Sequence, residues 1–266
     1  ASVFDALSAR VAQAVGFEIG LVGGSLAAAA VLAAPDLVIH TLTEYADQMR
    51  RIMRVSGLSL FVDADNGYGN ALNVMRTVQE FEHAGVAGLA IEDTVAPAPF
   101  GQSDDEQELI SLEEGAGKMR AALAARADPT LVIAARTPAL KLEGLDGMLA
   151  RARAYAAAGV DALHITGGRH KLEHFQAIHE VTGLPLIVGQ SHVMFPREAL
   201  AACGARIVLP GHHAIAAAVS ALRHTYAHLF GGGAPSDLQP RIVPAAEMEQ
   251  LVNDEQYRRW LHEFMH

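Results

Sequence analysis

Short runs of β-branched residues and leucine alternate along the chain with longer, alanine-rich segments in which apolar residues recur at helical spacing. This alternation is typical of repeated βα units around a parallel sheet. It predicts seven strands, at Glu18–Val22, Ser59–Asp63, Gly88–Ile91, Leu131–Ala135, Ala162–Ile165, Leu186–Val188 and Arg206–Leu209. A shorter run that ends near Phe4, before a predicted helix at Ala6–Val15, supplies an eighth. Eight strands favour a closed (β/α)8 barrel of the TIM type, because open doubly wound sheets more often have about five or six.

The C-terminal segment has a different pattern. Three glycines at 231–233 indicate a hinge, and a single amphipathic helix is predicted at Ala245–Phe264, with Trp260 among its apolar residues. We therefore expect a catalytic barrel at 1–230, followed by a hinge and helix at 231–266 that belong to the same domain. The apolar face of that helix needs a partner. A neighbouring subunit and the parent barrel are equally good candidates for it.

Composition and charge narrow the class of protein. With 266 residues, 51% hydrophobic and 19% charged, the chain has enough apolar material for one globular domain. Its formal net charge of −10, without a basic run, argues against nucleic-acid binding. The longest apolar stretch, Leu21–Pro35, is shorter than the roughly 20 residues of a membrane span. The single cysteine, Cys203, excludes an intrachain disulfide, so we expect a cytoplasmic protein.

Polar residues follow the predicted strands, where barrel enzymes place their active sites. They occur at Gly23–Ser25, Asp63–Asn70, Glu92–Asp93, Arg136, Gly167–Arg169, Gln190–His192 and Gly211–His213. Several carboxylates at adjoining strand ends repel one another unless a cation lies between them. Oxygen donors favour Mg²⁺ or Mn²⁺ over Zn²⁺. The alternative, that Asp63, Asp65 and Glu92 only cap helices, explains one acid per loop but not several together.

A cation with Arg136 opposite suits a small α-keto acid, which can chelate a metal through two oxygens. The metal can then act as a Lewis acid on an enolate. The turn Gly23–Leu26 offers backbone N–H groups for a carboxylate. Glycine-rich turns between strands and helices are common, so this turn is equally well interpreted as an ordinary connection without a ligand.

Several motifs together resemble the phosphoenolpyruvate mutase/isocitrate lyase superfamily over nearly the whole chain. They are the opening Phe4–Arg10, Gly23–Ser25, Pro35-Asp36, Asp63–Asn70, Ile91–Asp93 and Ala134–Thr137. The resemblance implies a Mg²⁺ site, held mostly through water, at Asp36, Asp63, Asp65 and Glu92. It implies backbone contacts to a substrate carboxylate from Gly24, Ser25 and Leu26, and a ligand contact from Arg136. It also implies a C-terminal helix swapped between subunits, usually in a homotetramer.

The loop after Glu92 bears on which reaction is catalysed. Lyases of this superfamily carry Lys-Arg-Cys-Gly-His there, with the cysteine as acid/base, whereas this chain reads Asp-Thr-Val-Ala-Pro-Ala-Pro-Phe-Gly-Gln at 93–102. Cys203, in a predicted helix, does not replace that cysteine, so cleavage of isocitrate or methylisocitrate is disfavoured. Phosphonate-processing members use polar residues in this loop, and its first part here is mainly proline, alanine and valine.

Decarboxylation requires least from the loop, because loss of CO₂ itself generates the enolate. Gly211-His212 also resembles the Asn-Gly-His of the oxaloacetate decarboxylase branch, which implies that His212 hydrogen-bonds the substrate. The alternative is that His212 only begins the next helix and does not contact the substrate. We therefore predict Mg²⁺-dependent decarboxylation of oxaloacetate or a related β-keto diacid to pyruvate and CO₂, with Arg136 and His212 as catalytic residues. Hydrolysis or lysis of a C–P or C–C bond, and a catalytically silent keto-acid-binding protein, remain alternatives.

Two further signals are expected to carry no chemistry. His170–His174 spells the H-x-x-E-H string of one zinc-peptidase class, and we interpret it as a chance match on a solvent-facing helix. The acidic run 103–108 is interpreted as a solvated part of a gating loop and not as a second metal site. Which of Gln190, Ser191, His192 and His213 contact the substrate stays open.

Overall fold

The computed structural model describes residues 1–102, 107–167, 170–189 and 195–266. Three groups of positions considered above lie outside these ranges. They are most of the acidic run, at 103–106, the pair Gly168-Arg169, and the segment that includes Gln190, Ser191 and His192.

A seven-stranded parallel sheet with consecutive strand order forms the centre of the molecule. Its strands are β1 Ile19–Val22, β2 Ser59–Asp63, β3 Gly88–Glu92, β4 Val132–Thr137, β5 Ala162–Ile165, β6 Leu186–Gly189 and β7 Ala205–Leu209. The sheet is curled, and its strands alternate with helices along the chain, which confirms the predicted barrel fold. β3 and β4 continue past their predicted ends because Glu92 and Arg136 pair across the two strands and stay in the sheet.

Residues 1–3 occupy the position predicted for an eighth strand. The backbone N–H of Val3 donates to Leu21 O at 2.9 Å, and that of Leu21 donates to Ala1 O at 2.7 Å. At the same time the Ser2 hydroxyl donates to Gly211 O, beyond β7, at 2.9 Å. The segment therefore lies between β1 and the end of β7, although it forms an isolated bridge with Leu21 in place of a regular strand.

Helices surround the sheet. The described residues contain α1 Ala6–Val15, α2 Gly24–Leu32, α3 Leu42–Met53, α4 Ala71–Ala84, α5 Leu112–Ala125, α6 Ala139–Leu142, α7 Gly144–Ala158, α8 Leu172–Thr182, α9 Arg197–Ala202 and α10 His213–Phe230. Five of them bury a large side chain completely against the outer face of the sheet: Met49, Phe81, Met119, Tyr155 and Phe175. This layer is the main core, and it supports the strand ends from outside.

The C-terminal region differs from its prediction. A 3-10 helix, Pro235–Arg241, is followed by two helices, α11 Ala245–Leu251 and α12 Asp254–Met265. The single helix expected at Ala245–Phe264 is therefore wrong. The helical conformation is interrupted at Asn253, whose φ of 60° lies in the left-handed region that asparagine tolerates better than most residues.

Apolar side chains remain exposed at this end of the chain. None of the side chains of α10 is buried, although every residue of that helix is described. On α12, Tyr257 is 56% exposed and Phe264 71%. Within the described ranges, no helix combines the length and apolarity that a membrane crossing requires.

Candidate active site at the barrel mouth

The barrel interior is apolar in its middle and charged at its mouth, where the strands end. Its inward side chains form a cluster of Leu21, Phe61, Ala90, Ala134, Ala162 and Ile187. Because side chains alternate along a strand, the next inward positions lie two residues further on. On β3, β4 and β5 these positions are Glu92, Arg136 and His164, and the sheet register pairs Glu92 with Arg136 and Arg136 with His164. Asp63 occupies the corresponding position on β2.

Arg136 is the cation at the centre of this layer. Its Nη1 donates to Asp63 Oδ1 at 2.5 Å, and its Nη2 lies 3.5 Å from Glu92 Oε2. The side chain is only 20% exposed. The structure therefore brings three of the predicted site residues together in one partly buried group.

Asp36 and Asp65 meet at the start of α2. A Cβ atom on Gly24 would lie 2.6 Å from Asp65 Oδ1 and 3.4 Å from Asp36 Oδ1, so a side chain there would displace the Asp65 carboxylate. The backbone N–H of Glu92 donates to Asp65 O at 2.7 Å, which ties the two acid-bearing loops together. The four predicted carboxylates thus lie on neighbouring elements, as expected from the strand-end rule.

His40 and Tyr68 enclose Asp65. The hydroxyl of Tyr68 lies 2.8 Å from His40 Nε2, and that nitrogen lies 3.5 Å from Asp65 Oδ2. Burial, and after it the Asp63 carboxylate, raises the pKa of Asp65 to about 8. Sequence reasoning missed His40 because it lies in the loop between α2 and α3, where no periodicity marks it.

The carboxylates fit a hard divalent cation in their chemistry. Burial is also the main cause that raises the pKa values of Asp36 and Glu92, so these acids favour a nearby positive charge. Asp65 Oδ2 is buried and has no hydrogen-bond partner among the described residues. Across the same ranges, no three His, Cys, Asp or Glu side chains are close enough to hold an ion directly. Carboxylate oxygens are donors that Mg²⁺ prefers, and this ion usually keeps several of its waters.

The first turn of α2 points backbone donors towards the same mouth. In any α-helix the first N–H groups lack partners within the helix, and here they belong to Gly24, Ser25 and Leu26. A Cβ atom on Gly23 would lie 3.1 Å from His212 Nε2, so the imidazole lies directly beside this turn. The predicted carboxylate-binding turn and His212 are therefore adjacent.

A second half of the mouth is lined by imidazoles. A cavity of about 470 Å³ is bordered by Asp63, Arg136, His164, His170 and His212, among others. Burial, and after it the charge of Arg136, lowers the pKa of His164 to about 3, so this ring is neutral. His164 was missed because Ala162–Ile165 was interpreted only as an apolar run. His164 lies two residues after Ala162 and so shares its face of the strand, but only the pairing with Arg136 shows that this face points inward.

His170 also departs from expectation. It precedes α8, which begins at Leu172, and it is buried against Phe175 instead of facing solvent from a helix. The H-x-x-E-H string therefore does not place both of its histidines on one helical face.

The loop after Glu92 covers the acidic half. Its two stems pair through Val95 N–H and Glu108 O at 2.8 Å, and Asn66 Nδ2 donates to Ala96 O at 2.5 Å. Residues 94–98 line a cavity of about 340 Å³ together with Asp36, Asp65, Glu92 and Arg136. Cys203 is buried in the outer core at the end of α9, away from both cavities.

Comparisons with known proteins find relatives over nearly the whole chain. A relative from Bradyrhizobium sp. (strain BTAi1 / ATCC BAA-1182), named oxaloacetate decarboxylase, is 48% identical over 99% of this chain and 91% of its own length. Another of the same name, from Bradyrhizobium diazoefficiens, is 51% identical over 94% of this chain and 86% of its own length.

Solved structures share the fold over the whole chain. A phosphoenolpyruvate phosphomutase from Streptomyces platensis subsp. rosaceus superimposes with a TM-score of 0.89 at 30% identity, covering 100% of this chain and 93% of that one. A phosphonopyruvate hydrolase in complex with oxalate and Mg²⁺ gives a TM-score of 0.85 at 30% identity, with the same coverage. The family model described as phosphoenolpyruvate phosphomutase matches residues 1–230. The chain therefore belongs to the phosphoenolpyruvate phosphomutase family.

Proposed function

We propose that the protein decarboxylates oxaloacetate, or a related β-keto diacid, to pyruvate and CO₂ with Mg²⁺ as cofactor and Mn²⁺ as a possible substitute. The observation that carries the proposal is the mouth itself, in which Arg136 lies between four carboxylates and the imidazoles of His164, His170 and His212. That the chain is an enzyme, a carbon–carbon lyase, is confirmed by relatives named oxaloacetate decarboxylase.

Asp63, Asp65, Glu92 and Asp36 would hold the metal, partly through its waters. When bound, Mg²⁺ supplies a Lewis acid that stabilises negative charge on the keto-acid oxygens. The phosphonopyruvate hydrolase complex, which contains oxalate and Mg²⁺, supports a metal and a two-oxygen ligand in this family. Oxalate has the same pair of adjacent oxygens as an α-keto acid.

The chain's own residues would bind and orient the substrate. The N–H groups of Gly24, Ser25 and Leu26 donate to one carboxylate, where the positive end of the α2 dipole also favours an anion. Arg136, in contact with Asp63, binds the ligand from the opposite side. His212 hydrogen-bonds the substrate from the second half of the mouth, and the neutral ring of His164 adds no positive charge there.

We also propose a homotetramer in which C-terminal helices are exchanged between subunits. The exposed apolar residues of α10 and α12 support this, because isolated apolar helix faces are unstable in water. The residues from 231 onward would then act as the hinge and exchanged arm of the barrel domain at 1–230. The partners are a small keto acid and other copies of the chain, and not nucleic acid. The single cysteine favours a cytoplasmic setting.

The first test measures pyruvate formed from oxaloacetate, corrected for the spontaneous rate, before EDTA treatment, after it, and after Mg²⁺ is restored. Activity should disappear with EDTA and return with Mg²⁺. Asp63→Ala should lower kcat/KM at least about 100-fold while the exposed control Asp47→Ala does not. An EDTA-insensitive rate, or no rate above background, would reject the proposal.

A second test separates the reaction from its alternatives. His212→Ala should reduce oxaloacetate turnover about 100-fold without a comparable change in Mg²⁺ affinity, whereas His83→Ala on the exposed face of α4 serves as the matched control. Turnover of phosphonopyruvate or methylisocitrate in place of oxaloacetate would favour C–P or C–C bond hydrolysis or lysis. Thermal stabilisation by oxalate without turnover of any keto acid would instead identify a binding protein.

A further inference from the structure

The hydrogen bonds of Ser2 define which nitrogen of His212 carries the proton. Ser2 Oγ lies 2.9 Å from Gly211 O and 3.0 Å from His212 Nδ1. The side chain is held in place because Val3 and Ala1, on either side of it, are hydrogen-bonded to β1. Ser2 is also buried, with an exposure of 8%.

The serine hydroxyl has a single proton to donate. Gly211 O is a carbonyl oxygen and can only accept, so the contact of 2.9 Å requires that the Ser2 proton points to it. Ser2 Oγ can then only accept from His212, and Nδ1 must carry a proton. In a neutral imidazole the tautomer is set in this way by the hydrogen bond that the other nitrogen makes.

We infer that Ser2 is a positioning residue that holds neutral His212 in the tautomer with its proton on Nδ1 and its lone pair on Nε2. Nε2 is the nitrogen that faces the first turn of α2, 3.1 Å from the position of a Cβ atom on Gly23. His212 therefore presents a proton acceptor to the mouth when it is neutral. Because the oxygens of a keto diacid only accept, the hydrogen bond from His212 to the substrate forms once His212 has gained a proton at Nε2.

The catalytic consequence rests on the proposed function, whereas the tautomer does not. Loss of CO₂ from a β-keto diacid leaves an enolate that must gain one proton at carbon to become pyruvate. An imidazolium at His212 would give up its Nε2 proton to that carbon and return to the neutral form that Ser2 stabilises. Water would restore the proton before the next turnover, so the step is balanced without another reactant.

The tautomer is measured on the full-length chain labelled with ¹⁵N-histidine, by magic-angle-spinning NMR at about pH 8.5, two units above the usual imidazole pKa of about 6.5. The His212 signals are identified by their absence from the His212→Gln variant. We expect a protonated Nδ1 and an unprotonated Nε2. An unprotonated Nδ1 in the wild-type protein would overturn the inference, and this outcome needs no Ser2 variant to fold.

Two substitutions test the positioning role. Ser2→Ala should allow the usual Nε2-protonated tautomer and lower kcat about fivefold with a smaller change in KM, which corresponds to about 1 kcal/mol, or one hydrogen bond. Ser2→Thr keeps the hydroxyl and should restore both the tautomer and kcat. Equal losses in both variants would refute the role of the hydroxyl. Absence of oxaloacetate turnover in the wild type would reject the proposed function while the NMR result stands.

Discussion

Arg151 of α7 holds both ends of the loop that follows β3. Its Nη1 lies 3.0 Å from Asp93 Oδ2 at the first stem, and its Nη2 donates to Ile110 O at 3.0 Å at the second. Two further hydrogen bonds of 2.8 Å join the guanidinium to Glu143. Asp93 is fully buried and also accepts from the Tyr155 hydroxyl. The backbone of Asp93 follows Glu92 directly, so this ion pair supports the acidic half of the mouth.

Arg151→Met removes the cation but keeps most of the apolar volume of the side chain. Asp93 would then be a buried carboxylate without an opposite charge, and breaking such a pair costs about 3–5 kcal/mol. The remaining hydrogen bond from Tyr155 reduces this penalty, so we expect a loss of about 3 kcal/mol in the free energy of unfolding. The matched control is Arg76→Met on α4. Because the Arg76 side chain is 67% exposed, this substitution should lower the free energy of unfolding by less than about 1 kcal/mol.

The assay is urea unfolding followed by circular dichroism, with all variants at one protein concentration because assembly would shift the midpoint. The double variant Asp93→Asn/Arg151→Met should lose less than the sum of the two single variants, since no fully buried carboxylate is left unpaired and Glu143 is partly exposed. A loss for Arg151→Met no larger than that of Arg76→Met would refute the argument. Strict additivity in the double variant would show that the two side chains do not interact.

Three other substitutions test separate parts of the structure. Gly24→Ala should abolish activity, because the new Cβ would lie 2.6 Å from Asp65 Oδ1. Gly117→Ala should not, because its Cβ would make only an ordinary contact of 3.8 Å with the Arg120 side chain, and circular dichroism should show both variants folded. His164→Phe should reduce turnover at least about tenfold with little change in thermal stability, because it removes a polar group from the cavity but keeps an aromatic ring there. Trp260→Asp should lower the mass measured by light scattering if α12 packs against another subunit; an unchanged tetramer would exclude that contact.

The strands could be predicted because their signals are local. Apolar runs bounded by glycine and polar residues gave the positions of all seven within one or two residues, and a strand end directly locates Asp63, Glu92 and Arg136. These residues could therefore be placed together before the fold was known. Their hydrogen bonds could not, because the contact between Arg136 and Asp63 depends on the side-chain geometry of strands that are not adjacent.

His164, His40 and Ser2 show what sequence patterns leave out. β5 has only four residues, too few for alternation to separate its inward face from its outward face, and the pairing of His164 with Arg136 settles the phase. His40 and Ser2 lie outside regular strands and helices and reach the site through tertiary contacts. The break at Asn253 was missed for a related reason, since the apolar spacing continues across it and neither proline nor glycine marks it.

The two halves of the mouth differ in how much change they can accept. The acidic half is tied to the backbone: Asp65 O accepts from Glu92 N–H, and Gly24 leaves no room for a side chain beside Asp65. A substitution there disturbs several elements together. The other half is lined by side chains from β5, His170 and the end of β7, around a cavity of about 470 Å³. Because those side chains can be exchanged without moving the sheet, we expect substrate choice within this family to be set at positions such as His164 and His212, and metal binding to be set by the acidic half.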